Sequence, residues 1–570
     1  MSDISLQPKA PKDPVKKNNS FYIIKNHAVF GSPAPDGRGI QYLYQSDGRM
    51  INGARLVGGI EDEEELELLK TVEGFKKLVS QVGVSIEMDD YDTEVTFAFQ
   101  MYGKTDTYVT GTTIYKTIKA DGSEFLINLD DVEWSSDDTV PGQFRFEFPK
   151  SEMYGTASVK FYLNDGFTAP VVEDEPPVDF SSPYYKDIIA KSIVSLGNNY
   201  RLKKAIEKAR AGEDVTLAFI GGSITQGAGA VPINKSCYSR KIYDGFCDLT
   251  DTVNSDNVKY VKAGIGGTPS ELGMLRYERD VLNDGKITPD IVVVEFAVND
   301  AGDETEGRCY DSLVRKIYNG PGNPAVILLF AVFQDDFNLQ DRLIPVGKAY
   351  DLPMVSTKNA VTEQFYKKAP ERVITKKQYF YDCFHPTNTG HIIMADGVIE
   401  LFKQIDNSPE DSEIPSLDNI KAPIGGEFES VKLLDRADNF VDAVISEGGF
   451  SDSDSDLQNV ERDFDIAATP TFPNNYLHVS GNTDPFIMDI QCKSLLIIYK
   501  DSESPIVGSA DIFVDGLLTK TINPHDVGWT HANAYIIHEG KESSKHHVEV
   551  KMHEGDEDKL FTILGFGVCK

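Results

Sequence analysis

Ser223 lies in Val215-Thr-Leu-Ala-Phe-Ile-Gly-Gly-Ser223-Ile-Thr-Gln-Gly227, where an apolar run gives way to two glycines and a serine. A serine at such a break is either a helix cap or a nucleophile. A nucleophilic serine needs a base, the base needs an orienting group, and the oxyanion needs donors. Of the 10 histidines, only His385 and His391 fall between residues 185 and 407. His385 belongs to Tyr381-Asp382-Cys383-Phe384-His385-Pro386. Asp382 precedes it at a spacing from which a tight turn can aim a carboxylate at the imidazole, and Pro386 keeps His385 out of the α region. Donors are offered twice more. The glycines of Ala263-Gly264-Ile265-Gly266-Gly267-Thr268 let a backbone N–H approach a ligand. In Glu295-Phe-Ala-Val-Asn299-Asp300, the Asn299 amide can donate without carrying charge. Taken singly, these are caps, a tight turn and a structural Asp–His pair. Taken together they are the parts of an acyl-transfer site, because each follows a predicted strand at the same edge of one sheet.

The elements that must position them are legible from periodicity. Val215–Ile220 is apolar on both faces, the mark of a buried parallel strand. Further strands are predicted at Val258–Ala263, Ile291–Ala297, Ala325–Phe333 and Met354–Ser356. Helices are predicted near Ser239–Leu249, Ser270–Leu282, Tyr310–Tyr318, Leu339–Tyr350, Ala360–Lys368 and His391–Ile405. Strands alternating with helical crossovers predict an α/β domain over residues 185–407 with a doubly wound parallel sheet of flavodoxin type. Flanking it, the period is two. Val95, Phe97, Phe99 and Met101 alternate with polar or small residues, as do Phe144, Phe146 and Phe148. This predicts a β-sandwich over residues 21–175, interrupted by the acidic run Glu61–Glu67 as a helix or solvated loop. Asp511 to Leu518 reads as a hairpin with an Asp515-Gly516 turn, and residues 425–570 as a second, jelly-roll-like sandwich. Residues 1–20 read as a flexible tail.

The four blocks resemble those of the SGNH (GDSL-like) hydrolase superfamily: Gly-Gly-Ser223, Gly266-Gly267, Val-Asn299-Asp300 and Asp382-x-x-His385-Pro. The wording is closest to its carbohydrate esterase branches, which remove acetyl groups from polysaccharides such as xylan and mannan. The chain departs from the pattern at Gly222, where the family name has Asp, and at Ala297, where Gly is commoner. The resemblance implies Ser223 as nucleophile and Asp382 and His385 as the rest of the triad. It implies Ser223, Gly267 and Asn299 as oxyanion donors, leaving Gly266 as an alternative to Gly267. It further implies an acetylated oligosaccharide as substrate, with no cofactor and no metal. Two other readings stay open: a lipase or thioesterase of the same superfamily, and a carbohydrate-binding protein on an inactive hydrolase fold.

Composition excludes other classes. Against 56 basic residues stand 90 acidic ones, a net charge of −34 over 570 residues. Such a surface repels nucleic acid and anionic membrane. No apolar run reaches the roughly 18 residues of a membrane span. The N-terminus lacks the apolar core of a signal peptide, so a cytoplasmic protein is expected. The six cysteines (Cys237, Cys247, Cys309, Cys383, Cys492 and Cys569) form no C-x-x-C pair, against a zinc site or disulfide scaffold. Asp452-x-Asp454-x-Asp456 begins like a calcium loop, but Leu457 stands at the glycine position and Asp463 at the closing glutamate. Trp529 can stack on a sugar ring or pack in a core. The sugar, the acetyl position and association into a homo-oligomer stay open.

Overall fold

Alternation of apolar and polar residues builds the first of two units in the computed structural model of this chain. It describes residues 19–46, 48–172, 174–411, 414–437, 443–460 and 469–570. Most of the predicted tail therefore lies outside the described residues. One unit is the chain up to Asp179 with Gly229–Lys235 and Val373–Gly390; the other is Phe180–Ala228, Ser236–Arg372 and His391–Lys570.

The first unit holds two antiparallel sheets. One runs in the order Ser20–Phe30, Tyr154–Leu163, Val79–Glu87, Phe125–Asn128. The other runs Ser32–Pro33, Gly39–Tyr44, Asp138–Phe148, Glu94–Gly103, Thr113–Lys119. Because strand side chains alternate between faces, Phe97, Phe99, Phe144 and Phe146 all reach one buried cluster. Phe161 of the four-stranded sheet meets Phe99 and Phe144 of the other at ring-centroid distances of 6.4 Å. The acidic run becomes the helix Glu63–Leu68, with Asp62 accepting from the N–H groups of Glu64 and Glu65 and Leu66 turned inward. Carboxylates in a first turn suit the positive end of the helix.

The second unit is centred on a six-stranded sheet. Its order is Ile193–Ser195, Met354–Ser356, Ala325–Phe330, Ile291–Glu295, Val215–Gly221, Val258–Gly264. The five strands from Val215 onward pair in parallel. Ile193–Ser195 pairs antiparallel at the edge; three half-buried residues are too few to give a readable period. The predicted helix Ala360–Lys368 starts earlier instead, as Thr357–Val361 followed by a 3-10 turn at Thr362–Tyr366, because the Ser356 hydroxyl caps it at the N–H of Asn359.

The C-terminal segment forms an eight-stranded antiparallel sheet within the same unit, including Phe486–Asp501, His531–Met552 and Thr562–Cys569. The predicted hairpin is present, with Asp515 and Gly516 both at positive φ between Ala510–Val514 and Leu517–Ile522. The strand Phe486–Asp501 explains why this sheet adheres to the parallel one. Leu495, Ile497 and Tyr499 enter the cluster inside the C-terminal sheet. Leu496 and Ile498 point the other way, into the cluster that holds Ile220, Val292 and Leu275 of the α/β portion. Gly567 lies so close to this seam that a Cβ there would stand 2.3 Å from Leu275 Cδ2. At its rim Arg308 reaches Glu539 at 2.6 Å, and Lys316 donates to the Val431 carbonyl at 2.6 Å.

Among the described residues no helix is long and apolar enough to cross a membrane. None of the six cysteines is bonded to another. Leu275→Ala opens a cavity at the seam and is expected to cost about 2–5 kcal/mol, read as a lower thermal unfolding midpoint.

Candidate functional site

Strand register brings three of the four blocks level. Gly221 pairs with Gly264 on one side and with Glu295 on the other. The loops that follow therefore leave the sheet side by side, at the point where the chain winds outward in both directions from the Val215 strand. Such a switch point is where open α/β sheets bind ligands. The helix cap at this break is Gly222, which makes no side-chain cap bond; Ser223 is the first residue of a four-residue helix, Ser223–Gln226. The short helix stops at Gly227, in the left-handed region with φ of 108°.

Close packing at these turns explains their glycines. A Cβ at Gly222 would fall 2.4–2.6 Å from the Asn299 carboxamide. One at Gly266 would fall 3.9 Å from Ser223 Cβ and 3.0 Å from Gln226 Oε1. Ser223, Gly266 and Asn299 thus lie around one small space. Among the described residues Asn299 Oδ1 is buried without a hydrogen-bond partner. Gly267 has φ of +71°, which favours glycine. Asp300, next to Asn299 in sequence, serves the start of the helix Ser270–Asp280: its carboxylate accepts from the Ser270 N–H and hydroxyl, both at 2.8 Å.

The buried polar residues Arg276, Glu295 and His391 support these turns. Arg276, fully buried, donates to the carbonyls of Ala263 at 2.8 Å and Gly221 at 2.9 Å, with Asp280 at 3.2 Å as counter-ion. Glu295 accepts from the Thr225 hydroxyl at 3.1 Å, and Thr225 bonds in turn to the Tyr238 hydroxyl at 2.7 Å. Burial pushes the Glu295 carboxyl up to about 8, against the lowering effect of the Thr225 bond, and the Asp300 carboxyl up to about 7. His391 spends both ring nitrogens on the backbone, at the Tyr238 N–H (3.2 Å) and the Ala228 carbonyl (3.1 Å). A charged residue on an otherwise buried helix face has no periodic signature, so Arg276 was not readable from spacing.

The fourth block belongs to the first unit. Asp382 Oδ1 accepts from the N–H groups of Phe384 at 2.8 Å and His385 at 2.7 Å. Its Oδ2 lies 2.8 Å from His385 Nδ1. Engagement of Nδ1 leaves Nε2 as the nitrogen able to accept a proton. Arg49, from the β-rich part of the same unit, adds a partner: its Nε stands 3.1 Å from Asp382 Oδ2. Burial pushes the Asp382 carboxyl up, but His385, Arg49 and the Phe384 N–H outweigh it and hold the group below the usual carboxylate range. No local motif marks Arg49; it is some 330 residues distant in sequence from its partner.

Among the described residues one cluster has the make-up of a metal site. Glu271, Asp303 and Cys309 are buried with ligand atoms within 4.8 Å of one another. Asp303 is already committed to the N–H groups of Thr305 and Gly307, at 2.7 and 2.6 Å. Where the sequence suggested a calcium loop, Lys500 places its ammonium 2.8 Å from Asp454 and 3.1 Å from Asp456. Asp463 lies outside the described residues.

A carboxyl whose pKa is raised on folding lends stability that is fully present below its unfolded pKa and lost as pH rises through the folded value. For Glu295 that window runs from about 4 up to about 8. Glu295→Gln, which stays neutral, is therefore expected to flatten the fall of the unfolding midpoint between about pH 4 and 8.

Residues 219–393 match the GDSL-like Lipase/Acylhydrolase family. A solved two-domain esterase (CEX) active on acetylated mannans, co-crystallized with mannopentaose, is 28% identical, with a TM-score of 0.56 over 67% of this chain and 98% of that one. The same esterase without that sugar in its description gives 27% identity and a TM-score of 0.56 over 67% and 99%. A variant of Axe2, an acetyl xylan esterase from Geobacillus stearothermophilus, gives 19% identity and a TM-score of 0.27 over 34% and 96%. A search of curated proteins finds no match. The stretch from 219 to 393, which holds all four blocks, is thus similar to the GDSL-like Lipase/Acylhydrolase family, and esterases active on acetylated mannans are among the structural neighbours of the chain.

Proposed function

We propose that this protein is a serine esterase that removes O-acetyl groups from oligosaccharides of the xylan or mannan type. The observation that carries this reading is the meeting of Ser223, Gly266 and Asn299 at the level carboxyl ends of three parallel strands. Ser223 is the nucleophile. His385 takes the hydroxyl proton through Nε2 as the oxygen attacks the ester carbonyl, and Asp382 holds the imidazole by Nδ1 and stabilises its charged form. The N–H groups of Ser223 and Gly267 and the amide of Asn299 receive the oxyanion. Loss of the sugar alcohol leaves an acetyl-serine. Water, deprotonated by His385, then releases acetate and restores the hydroxyl. No cofactor enters this scheme.

The domain division proposed with it is a β-sandwich over 21–175, the hydrolase domain over 185–407, and a jelly-roll-like domain over 425–570. Flavodoxin-type winding of the middle part is supported by its strand order, which in the sequence of the five parallel strands is 2-1-3-4-5. A sugar substrate is supported by Trp529. It is 43% exposed, and its indole lies 3.0 Å from where a Cβ on Gly267 would stand. An exposed indole face beside the reacting group suits a pyranose ring. The esterase active on acetylated mannans, matched over two thirds of this chain, points to the same substrate class.

Hydrolysis of 4-nitrophenyl acetate and of acetylated xylan, mannan and manno-oligosaccharides tests the reading. Ser223→Ala is expected to abolish turnover on all of them, and equal rates for wild type and variant would sink it. Asn299→Ala is expected to lower kcat about 100- to 1,000-fold. Trp529→Ala is expected to raise KM for acetylated oligosaccharides and leave 4-nitrophenyl acetate nearly unaffected. Activity on long-chain esters but on no acetylated sugar would favour a lipase instead. Arg49→Gln removes one of the charges that hold the Asp382 carboxyl down. The acid limb of the pH profile for kcat/KM is therefore expected to move to higher pH.

A further inference from the structure

The C-terminal sheet bears on the glycine loop more closely than packing requires. Gln458 Nε2 donates to the Gly266 carbonyl at 2.6 Å. Gln458 Oε1 in turn accepts from the Ala532 N–H at 3.0 Å, at the start of the strand His531–Met552. One residue earlier on that strand, His531 Nε2 lies 3.2 Å from the Gly267 carbonyl. Its Nδ1 lies 3.1 Å from the fully buried Asp501 carboxyl group. Two successive peptide carbonyls of the loop are thus each bonded to a side chain that is itself held on its far side.

These bonds fix more than position. Among the described residues the cis peptides are at Val231–Pro232 and Ala369–Pro370, so the Gly266–Gly267 peptide is trans. In a trans peptide the carbonyl and the N–H of the next residue point in opposite directions. Holding the Gly266 carbonyl toward Gln458 therefore turns the Gly267 N–H away from Gln458. Holding the Gly267 carbonyl toward His531 fixes the next peptide plane, and with it the φ of +71° at Gly267. Glycine turns with no such anchor flip their peptide planes readily, because neither orientation meets a Cβ.

We infer that Gln458, from the segment beside the C-terminal sheet, and His531, from that sheet, are positioning residues that together aim the Gly267 N–H at the reacting carbonyl. The inference rests on the esterase reading above and goes beyond it in giving the C-terminal sheet a part in the chemical step. A donor that must be reoriented during reaction stabilises the oxyanion less than one already aimed, so loss of the anchor falls on kcat rather than KM.

The experiment uses the full chain. Steady-state kinetics on 4-nitrophenyl acetate are combined with hydrogen exchange of the peptide spanning residues 264–270, beside thermal unfolding of each variant. Gln458→Ala is expected to lower kcat about 10- to 100-fold, less than outright loss of a donor, with KM within about twofold. Gln458→Glu keeps the shape but cannot donate when ionised, so it is expected to behave like Gln458→Ala; a packing role would leave it near wild type. His531→Gln, which retains a donor, is expected to keep more activity than His531→Ala. Exchange in 264–270 is expected to quicken in Gln458→Ala. Folded Gln458→Ala and Gln458→Glu with wild-type kcat and unchanged exchange would overturn the inference. Full activity of Ser223→Ala overturns the esterase reading and the catalytic part of the inference with it, and the exchange measurement still decides whether the two side chains hold the loop.

Discussion

Parallel pairing that keeps Gly221 level with both Gly264 and Glu295 is the constraint on which the glycine- and serine-bearing loops depend. Hydrogen bonds of a parallel ladder are evenly spaced, so a shift of one residue would move a whole loop by about 3.3 Å and turn its side chains to the other face. With the strand ends flush, Asn299 can lie against Gly222, and Gly266 can approach Ser223. Any Cβ at Gly221, Gly222 or Gly264 would come within 2.0–2.4 Å of a neighbouring atom. The glycines are there because backbone and side chains from adjacent strand ends share one layer.

Holding those ends together requires polar groups where water is excluded. Arg276 satisfies carbonyls near the ends of two strands, those of Ala263 and Gly221, and Asp280 balances its charge. A carbonyl left unpaired at this depth costs about 1–3 kcal/mol, which gives a buried guanidinium a structural purpose despite its desolvation. Glu295 resolves its burial differently. Without a cationic partner within the ladder, its carboxyl holds its proton up to about pH 8 and bonds through Thr225 to Tyr238.

The C-terminal sheet is bound to the α/β portion by Ala532, Ala534, Leu564 and Cys569 and by a strand with two apolar faces. Leu495, Ile497 and Tyr499 fill the interior of the C-terminal sheet, while Leu496 and Ile498 fill the seam. The stretch Leu495–Tyr499, apolar at every position, carries the sequence mark of burial on both sides. The same seam brings Gln458, His531 and Trp529 to the Gly266–Gly267 turn. Packing and loop geometry are therefore coupled in this unit: whatever loosens the seam also loosens the turn.

Local pattern was sufficient for much of this. The run from Val215 to Ile220, the helical spacing between strands, the Asp515-Gly516 turn and the Asp382-x-x-His385 spacing are short-range signals. Each is set by backbone geometry over a few residues, and the structure has the corresponding strand, helices, hairpin and 2.8 Å Asp–His pair. What the sequence left undetermined were relations between distant segments. The edge strand Ile193–Ser195 exists only because Met354–Ser356 is there to pair with it. Arg49 meets Asp382, Arg276 meets Gly221, and Gln458 meets Gly266, across separations for which a single chain offers no periodic signal. Residue types and spacing determined which groups can do acyl-transfer chemistry. Strand register and the packing of the C-terminal sheet decided which backbone groups are held beside Ser223, because only close packing in three dimensions fixes a peptide plane.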